Sequence, residues 1–203
     1  MPFRDLSPAD GRVLRRAENR EAALRCGIDL FGRNKTAPTI EEVAAESGIS
    51  IRSLYRYFGD ASVMIVEATQ LLVEETRPLA SFSPMGEGPL ADRIATLVGA
   101  RFRAYQHVRP VLRATILNIA AHAELAPAQH ATRELLRRQF SIHFAPELQQ
   151  SDDAAREHVL QAGTAVCNLE FIDMLVERQE MPVDTAQAIV IRLMTNVLAP
   201  APM

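Results

Sequence analysis

Apolar and polar positions along this 203-residue chain follow a helical period from end to end, and no stretch reads as a strand. A first helix is expected from Arg12 or Glu18 to Arg33, with Leu24, Cys26, Gly27, Leu30 and Phe31 on its inner face and Asn34 as its C-terminal cap. Two short helices follow within Thr39–Phe58. Ile40, Val43 and Ala44 fall on one face of the first, and Ala44 is small where the two helices must cross. Gly48 can take the positive φ of a tight turn, and Ser50 is a good N-cap for the second helix. Leu54 and Phe58 recur at i, i+4 and point back into the first. Gly59 and Asp60 end one helix and cap the next, which is expected from Ala61 to about Arg77 with Val63, Val66, Leu71, Leu72 and Val73. Pro78 to Pro89 reads as a loop. Apolar helices are then expected at about 90–107, 110–125, 128–145, 153–179 and 184–198, punctuated by prolines at 110, 127, 146, 182 and 200.

The pattern leaves Arg52, Ser53, Arg56 and Tyr57 facing outward on the second short helix, with no acid between Ile51 and Gly59. That is the layout of a helix-turn-helix with a basic recognition helix. The formal net charge of −3 is at first sight wrong for a DNA binder, but its distribution is uneven. Residues 11–35 hold seven basic side chains (Arg12, Arg15, Arg16, Arg20, Arg25, Arg33, Lys35) against three acids (Glu18, Glu21, Asp29), a balance of +4. Residues 61–203 hold 12 basic and 16 acidic ones, a balance of −4. A local basic patch on a weakly acidic chain fits a regulator that selects sites, not a protein that coats DNA by charge. Glu41, Glu42 and Glu46 suit the N-terminal dipole of the first short helix and are expected to face away from phosphates.

Composition narrows the class further. The hydrophobic fraction of 48% supports a sizeable core. No apolar run approaches the ~18 residues needed to span a bilayer, and MPFRDLSPADGR carries no signal-peptide core, so a cytoplasmic protein without a membrane partner is expected. Cys26 and Cys167 lie far apart in apolar helical patterns and are expected as buried, reduced thiols. His107, His122, His130, His143 and His158 form no metal-ligand spacing, Asp152-Asp153 stands where a helix begins, and no Gly-rich phosphate loop or Ser/His/Asp spacing is present. Neither enzymatic activity nor a cofactor is expected.

With this order in hand, the chain resembles the TetR family of transcriptional regulators. The match is most specific from Ala22 to Val66. It comprises the Ala-rich helix ending Leu30-Phe31, then Thr39-Ile40-x-x-Val43-Ala44-x-x-x-Gly48-Ile49-Ser50, then Leu54-Tyr55-x-Tyr57-Phe58, then the capped fourth helix. Beyond it, the chain is similar only in length, helix count and a pair of apolar final helices. The resemblance implies a homodimer with two DNA-binding heads, a ligand pocket in the body and, usually, repression relieved by ligand. This chain departs from the family pattern in three places. The segment between Phe31 and Thr39 lacks the usual glycine and is one residue short. Asp60-Ala61 stands where the family often carries a phosphate-binding lysine. Tyr55 matches a tyrosine that can bond a phosphate, although packing beneath the recognition helix would equally explain it.

These readings define an all-α protein: a three-helix DNA-binding head over 1–60 with a basic N-terminal arm, and a helical ligand-binding and dimerisation body over 61–203. The expected DNA contacts are Arg52, Ser53 and Arg56 on the major groove, with Thr39, Ser50, Tyr57 and Tyr55 near phosphates. The segment bearing Arg12, Arg15, Arg16 and Arg20 is expected to add sequence-independent affinity. Polar residues within apolar helices are the ligand candidates: Arg101, Tyr105, Thr115, Asn118, His122, His143, Cys167 and Asn168, with Phe82, Phe102 and Phe171 as walls. Thr115, Asn118 and His122 share one helix face. Leu169, Met174, Ile189, Met194 and Val197 are expected at a dimer interface, because the last two helices are apolar over more than one stripe. The expected function is a sequence-specific regulator binding a double-stranded operator, released as a repressor by a small, largely apolar effector. The alternatives are a helical ligand-binding protein or enzyme without a DNA role, and a DNA-processing protein such as a recombinase, which would need a clustered catalytic site.

Overall fold

A computed structural model describes residues 8–118, 125–150 and 152–199, and among these there are ten α-helices, one π-helical turn and no strand. The helices are α1 (Pro8–Asn34), α2 (Ile40–Ser47), α3 (Ile51–Phe58), α4 (Ala61–Ala80), α5 (Leu90–Asn118), α6 (Ala126–His143), α7 (Ala145–Gln149), α8 (Asp153–Val166), α9 (Leu169–Asp173) and α10 (Val183–Leu198). The π-turn, Met174–Arg178, follows α9 directly.

The local rules that place α2, α3 and α4 hold at each end. Thr39 closes a reciprocal capping box with Glu42 ahead of α2. Gly48 takes φ 70° and donates its N–H to the Ala44 carbonyl. Ser50 caps α3, and the Asp60 carboxylate accepts the Val63 N–H at 2.9 Å to cap α4. The first expected cap is displaced by one residue. Lys35, not Asn34, adopts the left-handed conformation at φ 60° and donates its N–H to the Phe31 carbonyl.

Further along, tertiary packing overrides two local stop signals and adds a break that the apolar pattern did not show. α4 continues through Pro78 to Ala80, and the two helices expected on either side of Pro110 are one. α1 crosses α5 at that proline so closely that a Cβ on Gly32 would lie 2.8 Å from the Pro110 ring. Phe31, Leu72, Val111 and Ala114 bury together around the crossing and hold α5 in register. Conversely, the helix expected over 153–179 divides. Asn168 leaves the helical conformation and its side-chain Oδ1 accepts the Phe171 N–H at 2.6 Å, which starts α9 on an axis bent by 44°.

Two larger cores lie on either side of that crossing. Ala23, Leu24 and Leu30 of α1 pack with Ile40, Val43, Leu54 and Phe58, and with Met64 and Ala68 of α4. The body core gathers Leu97, Phe102 and Tyr105 of α5, Phe140 of α6, Ile172 and Leu175, and Val190, Met194 and Leu198 of α10. Gly163 lets α6 and α8 meet, since a Cβ there would fall 2.2 Å from the Phe140 ring. Polar ties complete the body. Arg101 is wholly buried and donates to the Gln139 side chain at 2.7 Å and the Leu136 carbonyl at 3.1 Å. His143, also buried, accepts the Gly86 N–H on Nδ1 at 3.0 Å and places Nε2 2.9 Å from the Arg93 carbonyl, while Arg93 pairs with Glu147. This joint fixes the loop before α5 against the end of α6.

Two outcomes follow from this packing. Gly163→Ala should destabilise the chain by about 1–3 kcal/mol, because the Phe140 ring must move out of a filled core; an unchanged denaturant midpoint would contradict the packing. The second concerns acid. Burial holds the His143 imidazole below its ordinary range, and the Arg93 hydrogen bond holds the Glu147 carboxyl below its own. At these two groups the unfolded chain therefore binds protons that the folded chain resists. Stability should be full above about pH 6.5 and fall as pH drops below the ordinary imidazole value, then fall again below the ordinary carboxylate value near about 4.3. Denaturant melts across pH should show the first step reduced in His143→Gln.

Candidate functional site

One polar surface built by short-range sequence is the outer side of α3. Leu54 and Phe58 are buried, so the helix is anchored by one stripe, and Arg52, Tyr55 and Arg56 are left exposed, with Ser53 and Tyr57 half-buried. Each acid of α2 has a partner. Glu42 serves the Thr39 box, Glu46 meets Arg33 at 2.6 Å, and Glu41 accepts the Tyr55 hydroxyl at 3.3 Å. Tyr55 is thereby tied back to α2 even though its ring is exposed. The hydroxyls of Thr39 and Ser50 hold helix caps: Ser50 accepts the Ser53 N–H at 3.3 Å and donates to the Ser53 hydroxyl at 3.0 Å.

α1 completes this surface. The Tyr57 ring has the Arg16 guanidinium 5.8 Å from its centroid and that of Arg56 at 5.4 Å, and it meets Phe58 edge-on at 6.1 Å. Arg15, Arg16, Asn19, Arg56 and Tyr57 line a shallow groove of about 450 Å³ that has no acidic side chain in its wall among the described residues. No carboxylate among the described residues pairs with Arg15, Arg16, Arg52 or Arg56. The remaining arginines of α1 differ. Arg20 pairs with Glu67 and lies over the Phe58 ring, Arg25 pairs with Glu21 and Glu75, and Arg33 pairs with Asp29 and Glu46. Arg20 thus leaves the expected basic arm and becomes a tie between α1 and α4. The side chain of Arg12 lies outside the described residues.

A second site lies in the body. A cleft of about 260 Å³ opens between α4, α5, α6 and α9, walled by Leu72, Val108, Val111, Leu112, Leu136 and Leu169. Its polar residues are Thr69, Thr115, Gln129, Thr132 and an Arg133–Glu170 pair at 3.0 Å. Most of the expected ligand residues do not reach this cleft. Phe102 and Tyr105 belong to the opposite face of α5, inside the body core, and the Tyr105 hydroxyl lies 3.3 Å from the Asp173 carboxylate. Burial, reinforced by Asp173, pushes that hydroxyl's pKa well above the ordinary phenol value. Phe171 packs against the same core. Asn168 caps α9 and borders a different cleft, of about 270 Å³, with Arg137, Gln161 and Cys167. Arg101 and His143 serve the interhelical ties described above, leaving Thr115 as the one expected residue in the cleft wall. The side chain of Asn118 and all of His122 fall outside the described residues. Thr69, Gln129 and Thr132 were not singled out from sequence; hydroxyl and amide side chains on otherwise apolar helix faces were the available signal.

The expected dimer residues also separate. Met194 is fully buried and Leu169 nearly so; both belong to this chain's own interior because α10 and α9 turn those faces inward. Met174, Ile189 and Val197 stay half-exposed, and Leu193 joins Val197 one turn away on α10. Among the described residues no group of His, Cys, Asp or Glu is placed to hold a metal ion, and no single helix is long and apolar enough to cross a membrane. No family model, curated protein or solved structure matches the chain.

The caps give a direct check on how α3 is held. Ser50→Ala should cost about 1 kcal/mol of stability, whereas Ser50→Gly should cost a few tenths, roughly as at other N-caps. Equal losses in thermal melts would place the role of Ser50 outside capping.

Proposed function

We propose that this chain is a sequence-specific DNA-binding transcriptional regulator of the TetR type, a repressor that a small, largely apolar ligand releases from its operator. The observation that carries the proposal is the outer side of α3. Arg52 and Arg56 stand there without a carboxylate partner among the described residues, and Arg15 and Arg16 of α1 extend the same surface. In this reading α2 and α3 form the helix-turn-helix, α3 enters the major groove, and Arg52, Ser53 and Arg56 read or orient on base edges. Arg15 and Arg16 meet flanking phosphates. A guanidinium can pair with O6 and N7 of a guanine at once, which discriminates bases by roughly 1–3 kcal/mol.

The body reading rests on mechanics. α4 starts directly after α3, shares the core beneath it and supplies Thr69, Leu72 and Val73 to the cleft. A ligand that favours one tilt of α4 would therefore move the DNA-reading surface. A coupling of ~1–3 kcal/mol changes DNA affinity by roughly 5–150-fold. The half-exposed apolar face of α10 at Ile189, Leu193 and Val197, beside α8, supports a homodimer through those two helices. Such a dimer presents two α3 helices to half-sites roughly 34–36 Å apart.

Arginine variants separate base reading from charge. Arg56→Ala should weaken binding to a selected operator far more than to random duplex; equal losses would reduce Arg56 to a phosphate contact. Replacing Arg15 and Arg16 together with alanine should flatten the salt dependence by about 0.9 in log–log slope per lost phosphate contact. Arg20→Ala, whose cation already has an acidic partner, should leave the slope unchanged. A fully charged chain that binds no duplex at low salt would support instead a helical ligand-binding protein without a DNA role.

A further inference from the structure

The threonine hydroxyls of the body cleft are one-sided in their hydrogen bonding, and this points to what the cleft takes. Three helices each bring one threonine to its wall: Thr69 from α4, Thr115 from α5 and Thr132 from α6. Each spends its hydroxyl proton on the carbonyl four residues earlier in its own helix. Thr69 donates to Ile65 at 2.9 Å, Thr115 to Val111 at 2.8 Å and Thr132 to Ala128 at 2.9 Å. A hydroxyl has one proton and two lone pairs, so the hydrogen-bonding capacity that these three groups retain is to accept. Thr115 is the most buried of them, only 6% exposed, and its neighbours Val111 and Leu72 are apolar. The cleft carries both signs of charge together, Arg133 and Glu170 bound to one another, and so selects no net charge in a ligand. Its volume of about 260 Å³ falls just under the roughly 300 Å³ at which ligand pockets usually begin, which limits the occupant to a compact molecule.

From this geometry we infer that the cleft binds a compact, uncharged, apolar molecule that ends in a hydrogen-bond-donating hydroxyl. The hydroxyl is directed to the threonine oxygens and the apolar body lies against Leu72, Val108, Leu112 and Leu136. This deepens the proposed function and rests on its assignment of the cleft as the effector site. A ligand whose polar end only accepts, such as an ether, would leave the threonine lone pairs unmet and draw no hydrogen bond from the three threonine hydroxyls. A carboxylate would bring a charge to a place where the nearest cation already has a partner.

The test uses the full chain and three probes of nearly one shape: 4-propylphenol, its methyl ether 4-propylanisole, and 4-propylbenzoate. Affinity is measured by equilibrium dialysis, and the place of binding by the methyl NMR signals of Thr69, Thr115 and Thr132. The phenol should bind at least fivefold more tightly than the ether and the benzoate, the factor that about one net hydrogen bond supplies, and should shift the three threonine methyls. Thr115→Val, or Thr132→Val if the first variant folds poorly, should bring the phenol down to the ether's affinity and leave the ether unchanged. Equal binding of phenol and ether, preference for the benzoate, or no binding by any probe would overturn the inference. Operator affinity is read separately. A phenol that binds the cleft with this preference and never loosens operator binding upholds the ligand class and overturns the repressor-release reading.

Discussion

α4 belongs to every part of this molecule, and the rest of the structure depends on that sharing. Its first turns bury Met64 and Ala68 against α1, α2 and α3, its middle turns bury Leu72 against Phe31 and Val111, and Thr69, Leu72 and Val73 form a wall of the body cleft. Close-packed cores move as units and resist smooth deformation. On the proposed reading, a helix shared between the small core under α3 and the body would transmit a displacement at one end to the other. The crossing of α1 and α5 at Gly32 and Pro110 braces this arrangement from the other side. On the proposed reading, the same rigidity that holds α3 at a fixed angle also couples it to the cleft.

Electrostatics divide the arginines of α1 into two kinds. Arg20, Arg25 and Arg33 are matched with acids from α1, α2 and α4, and serve cohesion. Arg15 and Arg16 have no such match among the described residues and share a groove with Arg56 and Tyr57. Exposed ion pairs add little stability. Their larger consequence here is spatial: they remove positive charge from the flanks of α1 and concentrate what remains beside α3. A chain with a net charge of −3 can in this way offer a phosphate backbone a confined cationic surface.

Much of the N-terminal architecture was legible because it is set by short-range rules. The left-handed Gly48, the Ser50 and Asp60 caps, and the inward Leu54 and Phe58 all depend on residues within a few positions of one another. What sequence missed depended on distant partners. Pro110 does not end its helix because Gly32, Phe31 and Leu72, remote in sequence, pack across it. Tyr105 and Phe102 are core residues because α5 turns that face toward Asp173 and α10, a rotation that apolar periodicity alone does not reveal in a helix apolar on several sides. The same ambiguity placed Met194 at a surface when it fills the interior. Arg20 was counted with the basic arm because nothing local shows that Glu67 lies opposite it.

The central claim is that α3 reads DNA sequence. Selection of genomic fragments by the purified chain, repeated through several rounds at physiological salt, addresses it most directly. The account predicts enrichment of a short motif arranged as two inverted half-sites about one helical turn apart, as a symmetric pair of major-groove helices requires. Fragments recovered in proportion to their abundance in the input, with binding that fades uniformly as salt rises, would contradict it.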